Sequence, residues 1–205
     1  NHWLSAFLAK ELPMTQLHKP DVRKANVCPP CPPTASVWEK LIYWLGIGLG
    51  SGLPKRAAGT WGTVGGLVVA IPMLWLGFWG FLAVTVVGAL VGSYICGKTS
   101  DLMGVHDDPH IVWDEWVGMW VSLLPILWLH FYDDALLQGH QLSLLLLYFA
   151  AFVAFRFFDI LKPFPIKWVD KNVSGGFGIL IDDILAGLMA GVVLIVFVSV
   201  LVTYV

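Results

Sequence analysis

GILIDDILAGLMAGVVLIVFVSVLVTYV, residues 178–205, carries two charged side chains, Asp182 and Asp183, and both stand near its start. A helix needs about 20 apolar residues to cross a bilayer, and this run is long enough. Carboxylates at the mouth of such a helix are costly and usually have a function. A second pair, Asp114-Glu115, opens another apolar run at 114–129. The positive end of a helix dipole favours acids in that position, and a divalent cation would favour them more.

The rest of the chain agrees with a membrane setting. Of its 205 residues, 58% are hydrophobic and 13% are charged. Soluble domains carry about a quarter charged residues. We therefore expect an all-α integral membrane bundle, with about four to five transmembrane or re-entrant helices and an N-terminal interfacial helix. Twelve Lys and Arg spread over the whole chain give no basic nucleic-acid surface. Three cysteines, Cys28, Cys31 and Cys96, cannot build a disulfide framework. The Cys28-Pro-Pro-Cys31 spacing lacks the second pair that a zinc site requires.

Two regions emerge along the chain. Residues 1–36 are polar and rich in proline, and read as a flexible tail without a signal-peptide pattern. Residues 37–205 form the membrane domain. Within it, 37–49 is too short to span and reads as interfacial, with Trp38, Tyr43 and Trp44 at headgroup level. Residues 51–63 read as a Gly-rich basic loop. Residues 64–96 read as a helical hairpin broken around Pro72 and the glycines at 77 and 80. Residues 98–112 read as a polar loop, 114–129 and 141–161 as spans, 162–177 as a loop and 178–205 as the last span. An even number of crossings separates the three polar loops, so they converge on one side. Lys55, Arg56, Lys98, Lys162, Lys167 and Lys171 lie there, whereas 130–140 has no Lys or Arg. The positive-inside rule makes the convergent side cytoplasmic.

That side gathers the candidate chemistry. Asp114, Glu115, Asp182 and Asp183 are the oxygen donors a hard divalent cation takes, alongside water and phosphate oxygens. Helix capping explains one acid per helix but not two pairs on one face. Arg156, Asp159 and Lys162 follow at i, i+3 and i+6 before Pro163, a spacing suited to a carboxylate-oriented phosphate clamp or to an interfacial belt. Gly59–Thr63 precedes a helix and is a candidate anion-binding nest. His106 and His110 flank Asp107-Asp108 and read as acid–base candidates or as interfacial decoration. Walker, Ser-hydrolase-elbow, H-E-x-x-H and D-G-x-x-A-R patterns are absent. Metal-assisted chemistry on a phosphorylated, membrane-resident substrate remains. The rival from another class is a transporter or scaffold using these acids as an ion relay.

Four stretches, GTWGT (59–63), GVHDDPHIVWDEWVGMW (104–120), FRFFDILKPFPIKWVD (155–170) and GGFGILIDDILAG (175–187), resemble the bacterial phosphatidylglycerophosphatase A family in sequence and order. The likeness covers about 37–205. It implies a magnesium-dependent lipid phosphatase of the bacterial inner membrane, with its active site facing the cytoplasm. The implied substrate is phosphatidylglycerophosphate, whose terminal phosphomonoester is hydrolysed to give phosphatidylglycerol. It also implies roles for Asp107, Asp114, Glu115, Asp159, Asp182 and Asp183 in catalysis. Asp114, Glu115, Asp182 and Asp183 would hold Mg2+, and Thr60, Arg156 and Lys162 would bind the substrate. Oligomeric state is left open.

Overall fold

The computed structural model describes residues 27–132 and 144–204. These residues form helices and no strand. In chain order they are α1 (Val37–Gly46), α2 (Ala58–Met73), α3 (Gly77–Met103), α4 (Trp113–Tyr132), α5 (Leu144–Leu161), α6 (Ile166–Asn172) and α7 (Gly175–Tyr204).

Each boundary has a local cause. Ser36 caps α1: its Oγ accepts from the Glu39 amide at 3.2 Å, and Glu39 Oε2 accepts from the Ser36 amide at 2.9 Å. This is a capping box, which satisfies two donors that a helix start leaves orphaned. Pro72 sits in the last turn of α2, a 3-10 turn at Leu74–Leu76 follows, and Gly77 takes a φ of 67° to start α3. The expected hairpin is therefore present. Gly104, with a φ of 66°, ends α3 in the left-handed conformation that glycine adopts without strain. Lys162-Pro163 closes α5.

Three expected loops are shorter than the sequence suggested. Helix α2 begins at Ala58, so Gly59–Thr63 is its opening rather than a loop. Helix α3 extends to Met103, which puts Lys98 on a helix, where it pairs with Glu39 at 2.9 Å. The 162–177 segment contains α6. Small and polar residues dominate these stretches, and their turn propensity hid helices that tertiary packing completes.

Helix α7 is the centre of the bundle. It packs against α4 most extensively, then against α3 and α5, while α2 packs on the other side of α4. The α4–α7 crossing is close because Gly118 and Gly187 face it. A Cβ on Gly187 would run into the Gly118 carbonyl, and one on Gly118 would meet the Asp183 carbonyl and the Phe155 ring. Small residues at a crossing let two backbones approach.

Helix α4 is held in rotation by three tryptophans on one face. The indole N–H of Trp113 donates to Gly88 O at 3.1 Å, that of Trp116 to Ser51 Oγ at 3.3 Å and that of Trp120 to Gly66 O at 2.9 Å. All three are buried. Each buries a large apolar body and satisfies its one polar atom on a different neighbour.

The outward surface is apolar. Trp75, Trp79, Leu90, Leu145 and Phe149 are each more than 60% exposed. Two stretches, Ala58–Met103 and Gly175–Val200, are long and apolar enough to cross a membrane; the first contains the α2–α3 hairpin.

Of the expected tail, residues 1–26 lie outside the described residues. Residues 27–36 run as a coil against α1, with the Tyr43 hydroxyl donating to Pro29 O at 2.7 Å. Burial pushes the Cys28 thiol up, the opposite of what a reactive cysteine needs. The expected far loop, 130–140, is described only as far as Tyr132, where α4 ends.

Candidate functional site

The polar loops meet at one end of the bundle. The Val112 amide donates to Gly46 O at 2.8 Å, and the Gly175 amide donates to His106 Nε2 at 3.2 Å. These contacts tie the 104–112 loop both to the end of α1 and to the start of α7. The loops expected to converge thus meet at one end of the bundle.

Three carboxylates meet at this end. Asp114 and Glu115 stand in the first turn of α4, and Asp183 reaches them from α7. One oxygen from each lies within 4.8 Å of the others. Asp114 is 8% exposed and Asp183 is 4% exposed. Asp114 Oδ1 and Glu115 Oε2 are buried with no hydrogen-bond partner among the described residues. Buried carboxyl oxygens without donors are satisfied by a proton or by a counter-charge, and a hard cation is the group that takes several oxygens at once.

Asp182 does something else. Successive residues on a helix project about 100° apart, so the pair cannot share one direction. Asp182 Oδ2 accepts from Lys162 Nζ at 2.6 Å, and Oδ1 accepts from the Asp183 amide at 3.1 Å. Lys162 also donates to Asp170 Oδ1 at 2.5 Å. Burial works against the Lys162 charge, but the bonds to Asp170 and Asp182 outweigh it and hold the ammonium pKa above the usual lysine value. Of the four residues expected on metal, the structure groups three and pairs Asp182 with Lys162. Capping is no alternative for this pair, because α7 begins at Gly175, well before Asp182.

Arg156 is half-buried on α5. Its NH1 pairs with Asp159 Oδ2 at 2.5 Å and donates to Thr63 Oγ1 at 3.4 Å. The i, i+3 spacing read from sequence thus forms the expected pair. Thr63, rather than Thr60, meets Arg156; Thr60 is half-buried on the preceding turn. Sequence reasoning passed over Thr63 because it took this segment as a loop, where helical spacing has no meaning. Asp159 lies near enough to Glu115 and Asp183 to act on both electrostatically. Asp107 is exposed at a φ of 52° and is similarly near Asp114 and Asp182. Asp108, by contrast, is buried against His110.

A cleft of about 510 Å3 opens beside the cluster, lined by Lys55, Arg56, Gly59, His110, Glu115, Arg156 and Asp159. Gly59 makes room for it: a Cβ there would collide with Glu115 Oε1 and crowd Arg156 NH1. An anionic group in this cleft would meet Arg156, with Lys55 and Arg56 in the same lining, and Glu115 of the acidic cluster close to Arg156. That polarity suits a phosphate.

The family model for phosphatidylglycerophosphatase A matches residues 44–198. The chain belongs to the phosphatidylglycerophosphatase A family. A phosphatidylglycerophosphatase A from Haemophilus influenzae is 44% identical over 153 residues, covering 74% of this chain and 85% of the relative. The phosphatidylglycerophosphatase A of Escherichia coli K12 is 38% identical over 152 residues, covering 74% and 80%. A Bacteroides thetaiotaomicron protein with the provisional name phosphatidylinositol-3-phosphatase is 30% identical over 157 residues, covering 74% and 90%. No solved structure is significantly similar. This member of the family is accordingly a phosphatase, a hydrolase of phosphoric monoesters. The family match spans all of the site residues just described, from Lys55 before α2 to Asp183 on α7.

Proposed function

We propose that this enzyme removes the terminal phosphate of phosphatidylglycerophosphate, releasing phosphatidylglycerol and inorganic phosphate, and that Mg2+ is its cofactor. The observation carrying this reading is the Asp114, Glu115 and Asp183 cluster beside Arg156, with two orphaned carboxylate oxygens in a chain of this family. The all-oxygen donor set fits magnesium, which keeps waters and takes phosphate oxygens as its other ligands. When bound, the ion supplies positive charge to the phosphate and makes a water more acidic.

The remaining work belongs to the protein. Arg156, oriented by Asp159 and Thr63, holds phosphate oxygens through charge-assisted hydrogen bonds. Those bonds stabilise the charge that builds on phosphorus-bound oxygens as the ester cleaves. Lys162, fixed by Asp170 and Asp182, anchors the segment after α5 against α7 and keeps a cation at the mouth of the site. Burial of Asp114 and Asp183 excludes bulk water from the reacting side.

The exposed aromatic and aliphatic faces of α2, α3, α5 and α7 suit acyl chains, and α2, α3, α4, α5 and α7 are read as the membrane-inserted helices. The basic residues at the site end favour a cytoplasmic orientation in the bacterial inner membrane. The lipid would keep its tails in the bilayer and present its glycerophosphate head to the cleft.

The test is phosphate release by purified enzyme from phosphatidylglycerophosphate, with and without magnesium. Phosphatidylinositol 3-phosphate serves as a competing substrate. Equal turnover after chelation would remove magnesium from the reading, and preference for the inositol lipid would replace the substrate.

A further inference from the structure

His110 is 4% exposed, yet it lies in a loop and lines the cleft. Its Nδ1 is 2.7 Å from Asp108 Oδ1, and the same oxygen accepts from the His110 amide at 3.0 Å. A carboxylate can only accept, so Nδ1 carries the hydrogen in this pair. The other ring nitrogen, Nε2, is buried without a partner among the described residues. One nitrogen is thus fixed by a buried acid, and the other is buried without a partner on a residue that lines the cleft. This is the arrangement in which a carboxylate orients an imidazole and stabilises its protonated form.

We propose that His110 is the general acid of the phosphatase, donating the Nε2 proton to the departing alcohol oxygen, with Asp108 as its positioning residue. The proposal rests on the phosphatase reading. The choice of acid over base follows from the company His110 keeps. The Asp108 carboxylate held on Nδ1 stabilises the protonated ring, the form that donates. The other donors lining the cleft, Lys55, Arg56 and Arg156, are ammonium and guanidinium groups suited to holding phosphate oxygens. Imidazole is the side chain suited to giving up a proton there.

In this step phosphorus gains a bond to the oxygen of a water and loses its bond to the glycerol oxygen. The electron pair of the broken bond stays on that oxygen, and the Nε2 proton converts it to the alcohol. The attacking water releases one proton to a carboxylate or to solvent, and solvent reprotonates the imidazole. The charged groups around the ring are Asp108 on Nδ1 and, lining the same cleft, Lys55 and Arg56 from the segment before α2, Glu115 from α4, and Arg156 and Asp159 from α5. Tyr43 and Cys28 lie near enough to Asp108 to feel its charge.

Wild type, His110→Gln, His110→Ala and Asp108→Asn are compared in detergent with magnesium on phosphatidylglycerophosphate. General acid catalysis contributes about 10²- to 10⁴-fold, so both His110 variants should lose kcat by that factor with KM within about threefold. Added imidazole should restore part of the H110A rate, and the basic limb of the kcat–pH profile should vanish in H110Q. Asp108→Asn should lose less and keep a displaced limb. Elution as a single species shows that each variant is folded. A folded H110Q with kcat within tenfold of wild type, a loss confined to KM, or H110A deaf to imidazole would overturn the assignment. Trapping of a phosphohistidine at position 110 would make the residue a nucleophile and overturn it too. A wild type that releases no phosphate would bring down the phosphatase reading itself, a result none of the variant outcomes mimics.

Discussion

Asp182 and Asp183 are neighbours on α7 with opposite partners: Asp182 accepts from Lys162 at 2.6 Å, while Asp183 joins Asp114 and Glu115. The helix gives one carboxylate to the α5–α6 junction and the next to the acidic cluster. Substitution should therefore separate them. Asp183→Asn should raise the magnesium concentration for half-maximal activity and abolish most turnover. Asp182→Asn should leave that concentration nearly unchanged and cost about 10- to 100-fold, the usual effect of removing a supporting partner. Magnesium titration of both variants decides it.

Arg156 is positioned by Asp159 and Thr63, and its guanidinium is planar and forked. Arg156→Lys keeps the charge and loses the fork, so it should still lower kcat/KM by about tenfold or more, since the two cations are not interchangeable at such sites. Thr63→Val should produce a smaller loss of the same kind, and Thr60→Val less again. Steady-state kinetics on the three variants ranks them.

Gly59 lies against Glu115 and Arg156 with no room for a methyl group. Gly59→Ala should displace one or both and cost about 100-fold in activity, as a shift of about 1 Å in a reacting group can. Its thermal midpoint should stay close to wild type, because α2 gains a better helix former.

Gly187 sets the α4–α7 distance. Gly187→Val forces the two backbones apart and should destabilise the bundle by about 1–3 kcal/mol, the usual cost of overpacking. Unfolding in mixed detergent micelles measures it. Activity should fall with stability, since the same crossing brings Asp183 to Asp114.

Glu39 caps α1 and pairs with Lys98, and the Lys98 hydrogen bond together with the Ser36 bonds pulls its carboxyl down to about 2. A depressed carboxyl stabilises the fold above the unfolded value of about 4.3, and the contribution disappears as pH falls toward 2. The difference in thermal midpoint between wild type and Glu39→Gln should be present at pH 6 and close by pH 2. A difference independent of pH would assign the effect to capping geometry rather than charge.

Much of this was legible in the residues themselves. Long apolar runs located α3, α4, α5 and α7, and the Pro72–Gly77 break located the hairpin. The acids were visible because charge is rare in such runs. What the sequence concealed was direction. Nothing in Asp182-Asp183 says which carboxylate faces Lys162; that depends on the rotation of α7 against α4, which Gly118 and Gly187 set. Thr63 was missed because a glycine-rich segment reads as a turn until packing makes it a helix. His110 looked ordinary because the Asp108 partner two residues away matters only once the loop has folded back on itself.

Helix α7 begins at Gly175, and Asp182 follows seven positions later, about 10 Å along the axis at 1.5 Å per residue. The carboxylates therefore sit below the rim of the bundle rather than on top of it. In the membrane arrangement proposed above, that depth is the headgroup layer. A phosphate attached to a lipid can reach them while both acyl chains stay immersed, so the enzyme avoids exposing methylenes at about 0.8 kcal/mol each. A water-soluble phosphate ester gains nothing from this arrangement and must descend to the site unaided. The burial depth of two aspartates thus becomes a filter that favours substrates by where they reside.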